Sequence, residues 1–402
     1  MAYKANSRKT VAIRNKNTNT RHKTTNLSKK NSNVKKAAVT TTVMKPKQMD
    51  YAILFTVVIL VLFGLVMVFS SSYYYAMTHV VFNDKFYFVK RQGMWAVIGF
   101  VSMLFFTFFD YRIIKRLAPL AYIGINLLLV LVLFMGDEAN GSTRSIFGIQ
   151  PSEFAKIVMV ITMSAYLEKY PNAVRTPVGF LSCLMIIGVP ALLIALQNLS
   201  TAIVVAAIGM VIVFVAGVKW RYLFTIGFLG IGAGAALVLP KPFRYRLERI
   251  QSWRDPFAYI SEGGYQIVQS LYAIASGGIF GRGLGNSIQK LGYIPEAYND
   301  IIFSVICEEL GLFGAGILVL LFIILITRGI RVAIRAKERF GALVAAGISS
   351  MIAVQAIINI AVATNTFPNT GMALPFISYG GSSLFMLLSS MGILLNISCY
   401  TK

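Results

Sequence analysis

Histidine is nearly missing from this chain: its 402 residues include two, His22 and His79, far apart in the sequence. That leaves almost no material for a histidine-based zinc site or a Ser-His-Asp triad. Cysteine is as sparse. Cys183, Cys307 and Cys399 all fall inside apolar stretches, where a thiol behaves as a small hydrophobe, so no disulfide framework is implied. Charge is short as well, at 13% of residues where soluble proteins carry about a quarter, while hydrophobic residues make up 56%. Together these two figures exclude an ordinary soluble enzyme. Acidic residues are the rarer charged class, 15 against 38 lysines and arginines.

What is present is unevenly placed. Residues 1–49 hold 13 of the 38 basic residues and no Asp or Glu. Rich in Lys, Arg, Asn, Thr and Ser, this segment has too few large apolar side chains to offset chain entropy. It reads as a disordered basic cytoplasmic tail suited to an anionic membrane face. Nucleic-acid binding is not expected, because basic residues would have to interleave with aromatics on a folded surface and the tail offers only Tyr3 and His22. The first apolar run starts near Tyr51, too late for a cleaved signal peptide.

A spanning helix needs about 20 mostly apolar residues, since hydrocarbon leaves no water for an open backbone. Ten stretches qualify: 51–72, 92–109, 117–135, 152–168, 178–196, 199–217, 221–240, 301–327, 342–363 and 379–399. The expected fold class is therefore an all-α polytopic membrane protein, its spanning domain covering 50–402. Lysine and arginine in short loops mark the cytoplasmic side. With the tail inside, the inner loops carry twelve (Arg112, Lys115, Arg116, Lys169, Arg175, Lys219, Arg221, Arg328, Arg331, Arg335, Lys337 and Arg339). The short outer loops carry four, Lys85, Lys90, Arg91 and Arg144. Both termini are then cytoplasmic, and a large loop, 241–300, between the seventh and eighth spans lies outside. So long a loop is more often functional than a mere connector.

Charges at the ends of spans are expensive and tend to face a cavity, a partner or a substrate path. Three places qualify. In Gln150-Pro151-Ser152-Glu153-Phe154-Ala155-Lys156, proline suits a helix start and Glu153 and Lys156 share a face at i and i+3. They can pair to hold the helix end, and Lys156, with Arg144, can meet an anionic headgroup, two readings that need not exclude each other. Pro242-Phe243-Arg244-Tyr245-Arg246-Leu247-Glu248-Arg249 supplies arginines fit to clamp phosphate or to anchor at the interface. In Tyr293-Ile294-Pro295-Glu296-Ala297-Tyr298-Asn299-Asp300, the aspartate precedes a span, where it either caps the helix or acts as a general base, with Glu308 and Glu309 deeper. The glycines from Gly277 to Gly285 lack a P-loop's Lys-Ser/Thr ending and read as tight turns or close helix approach.

Taken in order, these stretches resemble the SEDS family of polytopic bacterial cell-wall proteins, whose members include FtsW, RodA and SpoVE. The resemblance runs from about residue 50 to 399. It also includes Gly264-Tyr265-Gln266…Gln269-Ser270, Gly281-Arg282-Gly283-Leu284-Gly285-Asn286-Ser287…Gln289-Lys290, Glu308-Glu309-Leu310-Gly311 and Leu374-Pro375-Phe376-Ile377-Ser378-Tyr379-Gly380-Gly381-Ser382-Ser383. What it implies is an FtsW-like peptidoglycan glycosyltransferase that polymerises lipid II with inversion. Asp300 would be catalytic, and Lys156, Glu153, Arg144, Arg244, Arg249, Gln266, Lys290, Glu296 and Ser382 would bind substrate. No fixed cofactor is implied beyond a divalent cation at the pyrophosphate. The implied partners are a class B penicillin-binding protein and other divisome proteins of the bacterial cytoplasmic membrane, at the division septum. Open alternatives are an elongation or sporulation role, a lipid II flippase and a non-catalytic scaffold. The chain departs from the family pattern at Ser145, where tryptophan is usual, at Asn198, where the usual residue is Asp, and at Asn299, where it is Thr.

Overall fold

A computed structural model describes residues 49–401 apart from 79–83, 136, 140–141, 146–147, 223, 225–249 and 263. Its long helices are α1 (Tyr51–Thr78), α2 (Tyr87–Phe108), α3 (Tyr111–Met135), α4 (Pro151–Lys169), α5 (Pro177–Ala195) and α6 (Leu199–Val215). After a short α7 (Tyr265–Gly277) come α8 (Ile302–Arg335), α9 (Arg339–Ala363) and α10 (Gly381–Cys399). A small antiparallel hairpin of β1 (Asp137–Ala139) and β2 (Ser142–Ser145) joins α3 to α4.

Seven of these helices, α1, α2, α3, α5, α8, α9 and α10, are long and apolar enough to cross a membrane. The apolar α6 is shorter, with 17 residues, and α4, with 19, carries Glu153, Lys156, Glu168 and Lys169 at its two ends. Nine of the ten expected stretches are thus helical, while the seventh, 221–240, lies almost wholly outside the described residues, as do the tail, Arg244 and Arg249.

Hydrocarbon supplies no hydrophobic drive between helices, so close backbone approach and buried polar contacts hold such a bundle. Helix α2 runs along α10 with Gly392 against the Met103 carbonyl. Ser102 and Ser389 bond across that seam at 2.7 Å, and Asn396 Nδ2 donates to the Thr107 carbonyl at 2.7 Å. On the other side, Gly347 of α9 takes Val160 of α4 and Ile212 of α6.

Helix α8 is broken. Gly311 has φ 66° and ψ −170°, which frees carbonyls from the helical ladder inside an apolar segment. The glycine-rich loop after α7 takes them up: Arg282 N donates to the Glu308 carbonyl and Gly283 N to the Glu309 carbonyl, each at 2.9 Å. In return Leu312 N and Phe313 N donate to the Gly278 and Ile279 carbonyls at 2.9 and 3.0 Å. A Cβ on Gly277, Gly281 or Gly311 would strike the opposing backbone. Close approach is therefore the reason for these glycines.

Candidate functional site

Helix α4 begins as its sequence indicates, with Pro151 at the first turn and Gln150 preceding it. Its first turn brings Lys156 Nζ to both Glu153 oxygens, at 2.8 and 2.9 Å. This pair lines a cavity of about 290 Å³ among α4, α6, α9 and the segment leading into α10. Lys156 is only 2% exposed, and its ammonium is buried in the bundle against the Glu153 carboxylate. The wall continues with Asn198, Thr201, Asn299, Gln355, Gly371, Tyr379 and Ser382, most of them polar. Asn198 Oδ1 accepts from Thr201 N at 3.1 Å and caps α6, as the usual aspartate would. Ser382 Oγ donates to the Gly148 carbonyl and accepts from Gln150 N, both at 3.3 Å, joining the start of α10 to the start of α4.

Asp300 sits between two wall residues, Asn299 in sequence and Gly371 in space, its Oδ2 being 3.7 Å from where a Cβ on Gly371 would lie. Its segment is anchored two residues earlier by Tyr298, whose ring meets Phe88 at 4.4 Å and Tyr75 at 5.4 Å. Burial pushes the Tyr298 phenol far above its ordinary pKa, and the Glu296 carboxylate adds to this, so the side chain stays neutral. Behind Asp300, Asn359 Nδ2 donates to the Asp300 carbonyl at 2.7 Å. Helix α8 starts at Ile302 and its cap position is Ile301, so Asp300 lies one residue before the cap.

The other candidate residues fall in different places. Gln266, on the first turn of α7, donates to Asp300 Oδ1 at 3.4 Å. Glu296 adopts φ 48° and accepts from Asn299 Nδ2 at 3.3 Å. Lys290 does not line the cavity: its Nζ bonds to Glu309 Oε1 at 2.6 Å and to Ser70 Oγ at 3.0 Å. Glu308 accepts from Ser287 Oγ, Ile288 N and Gln289 N. Both acids thus lock the glycine-rich loop to α8. The Arg144 side chain and all of Arg244 and Arg249 lie outside the described residues.

Three residues of the site carry a signal in the sequence that motif and charge counting passed over. Gln355 and Asn359 are polar amides at i and i+4 inside an apolar span, where such groups are costly and mark a pathway. The third is Arg91, which counted only as an outer-loop charge. Its Nη2 is 3.8 Å from where a Cβ on Gly148, a wall residue, would lie, and its Nη1 donates to Tyr87 Oη at 3.1 Å.

Long apolar helices around a polar cavity define a multi-pass helical membrane protein with its site among the helices. Residues 51–402 match the FtsW/RodA/SpoVE family, described as cell cycle proteins, and the chain belongs to that family. It is 40% identical over 357 residues to a probable peptidoglycan glycosyltransferase FtsW of Geobacter sp. (strain M18), covering 87% of this chain and 96% of the relative. It is also 41% identical over 361 residues to stage V sporulation protein E of Bacillus subtilis (strain 168), covering 88% and 98%. Among solved structures, a chain from a peptidoglycan synthase complex that coordinates polymerization and crosslinking superposes with a TM-score of 0.73 at 29% identity, covering 87% of this chain and 97% of that one. The rod shape determining protein RodA of Thermus thermophilus superposes with a TM-score of 0.63 at 26% identity, covering 87% and 96%.

Proposed function

We propose that this protein is a peptidoglycan glycosyltransferase that polymerises lipid II, working with a class B penicillin-binding protein at the division septum. The observation that carries the reading is a carboxylate, Asp300, set beside a polar cavity whose wall holds the Lys156–Glu153 pair. The relatives named probable peptidoglycan glycosyltransferase support the reaction class and, by their FtsW name, the division role, while the stage V sporulation relative supports sporulation as the second reading.

The chemistry needs two things from the protein. A base must take the proton from the acceptor sugar's 4-hydroxyl as its oxygen attacks the donor's anomeric carbon, and Asp300 is the carboxylate in place for it. Cations must steady the pyrophosphate lipid as it leaves, with its bonding electrons, from the opposite face. Attack from one face and departure from the other invert the centre without a covalent glycosyl-enzyme. Lys156 is already answered by Glu153, so Arg91, which has no carboxylate partner among the described residues, supplies the further positive charge. A divalent cation at the pyrophosphate, held chiefly by the phosphate oxygens themselves, would share this charge stabilisation.

The lysine and arginine asymmetry of the short loops supports a cytoplasmic placement of both termini, with the loop carrying Asp300 outside. The test of the function is glycan polymerisation from lipid II by the purified protein with and without its transpeptidase. Transport of lipid II across vesicles with no polymer formed would favour a flippase. Polymer formation that needs only the transpeptidase would leave a scaffold.

A further inference from the structure

Segments far apart in sequence converge on Asp300. Asn359 of α9, 1% exposed, donates Nδ2 to the Asp300 carbonyl and to the Met372 carbonyl, each at 2.7 Å. This fixes the backbone but not the carboxylate, whose own torsions remain to be set. Gln266 Nε2 reaches Asp300 Oδ1 at 3.4 Å. An amide has a donor end and an acceptor end, and its acceptor end turned to a carboxylate would repel it. Asn369 decides which end faces Asp300, because its Nδ2 donates to Gln266 Oε1 at 2.9 Å. Asn369 is oriented in its turn, its Oδ1 accepting from Gly371 N at 3.0 Å. The donors therefore run one way, from Gly371 N–H through Asn369 and Gln266 to Oδ1, while Oδ2 lies on the side of Gly371, which borders the cavity.

We propose that Gln266 is a positioning residue for Asp300, with Asn369 setting its direction, rather than a substrate contact. The proposal rests on the reading of Asp300 as the base and deepens it. An N–H donated to an ionised carboxylate favours the charged form and lowers its pKa. Removing that donor raises the pKa, so the acid limb of the rate profile moves to higher pH. Loss of a substrate contact acts differently: KM rises and the limb stays where it was.

The experiment is the rate of lipid II polymerisation across pH by the full chain with its transpeptidase, for the wild type, Gln266→Leu, Asn369→Ala and the double variant. Asp300→Asn serves as reference. Gln266→Leu is expected to lower kcat about tenfold at neutral pH, to leave KM within about twofold, and to raise the acid limb by roughly half a pH unit or more. Asn369→Ala shifts the limb the same way by less, and adds nothing once Gln266 is replaced, since both act through one bond. A raised KM with an unmoved limb, or a wild-type profile for Gln266→Leu, overturns the proposal. Should Gln266→Leu fail to fold, Asn369→Ala decides alone: an upward shift supports the relay and a wild-type limb overturns it. Polymerisation by Asp300→Asn would instead overturn the reading of Asp300, a result separable from the others.

Discussion

Two cations near the cavity differ in what holds them, and substitution should separate their roles. Arg91 has one described hydrogen bond, to Tyr87 Oη, so Arg91→Gln should leave the fold intact. If it meets the pyrophosphate, lost charge-assisted bonds of about 1.5–3 kcal/mol weaken lipid II binding roughly ten- to a hundredfold. Titration of the purified variant with lipid II reads this directly; unchanged affinity would remove Arg91 from the site. Lys156→Met has a further consequence, because it leaves the Glu153 carboxylate without its partner in the bundle. The double variant Lys156→Met/Glu153→Gln should therefore recover thermal stability over the single one while binding stays weak. Recovery of both would make the pair a purely structural clasp.

The broken α8 and the glycine-rich loop bonded to it flank the segment that carries Asp300 in sequence. Gly281 (φ +78°) and Gly311 (φ +66°) sit where a Cβ would strike the Glu309 carbonyl or the Gly281 amide, so alanine at either should lower the melting temperature strongly or abolish expression. Gly285 (φ +86°) has open space around it, and Gly285→Ala should cost only the backbone strain, about 1–2 kcal/mol. Equal effects at the three positions would deny the close approach. The buried Lys290–Glu309 pair makes a second test, since breaking one partner of such a pair costs about 3–5 kcal/mol, and Lys290→Met should lose more stability than Lys290→Met/Glu309→Leu. The glycines were readable as close approach because no P-loop ending follows them. Their partners were not: the carbonyls at 308 and 309 and the acids on the same residues lie across a loop, and local spacing carries no information on which strand of backbone returns to meet it.

At the scale of the molecule, apolar length located nine described spanning or near-spanning helices, with ends off by about five to eight residues where α1, α2, α3 and α8 run past the apolar window. Charge at α4's start also located the Lys156–Glu153 pair. Asp300 stood out through its motif, but its surroundings did not, because Gln266, Asn359 and Asn369 reach it from three other segments. The bundle's orientation can be tested with a cysteine at Glu262, which should react with an impermeant reagent in intact cells; reaction only after permeabilisation would reverse the topology. Lipid II polymerisation by Asp300→Asn decides whether this carboxylate is the base. Asparagine keeps the side chain's shape and an acceptor for Gln266, yet cannot take a proton. A well-folded variant slowed on the order of a hundredfold or more is expected. Glycan synthesis at near wild-type rate by that variant would contradict it.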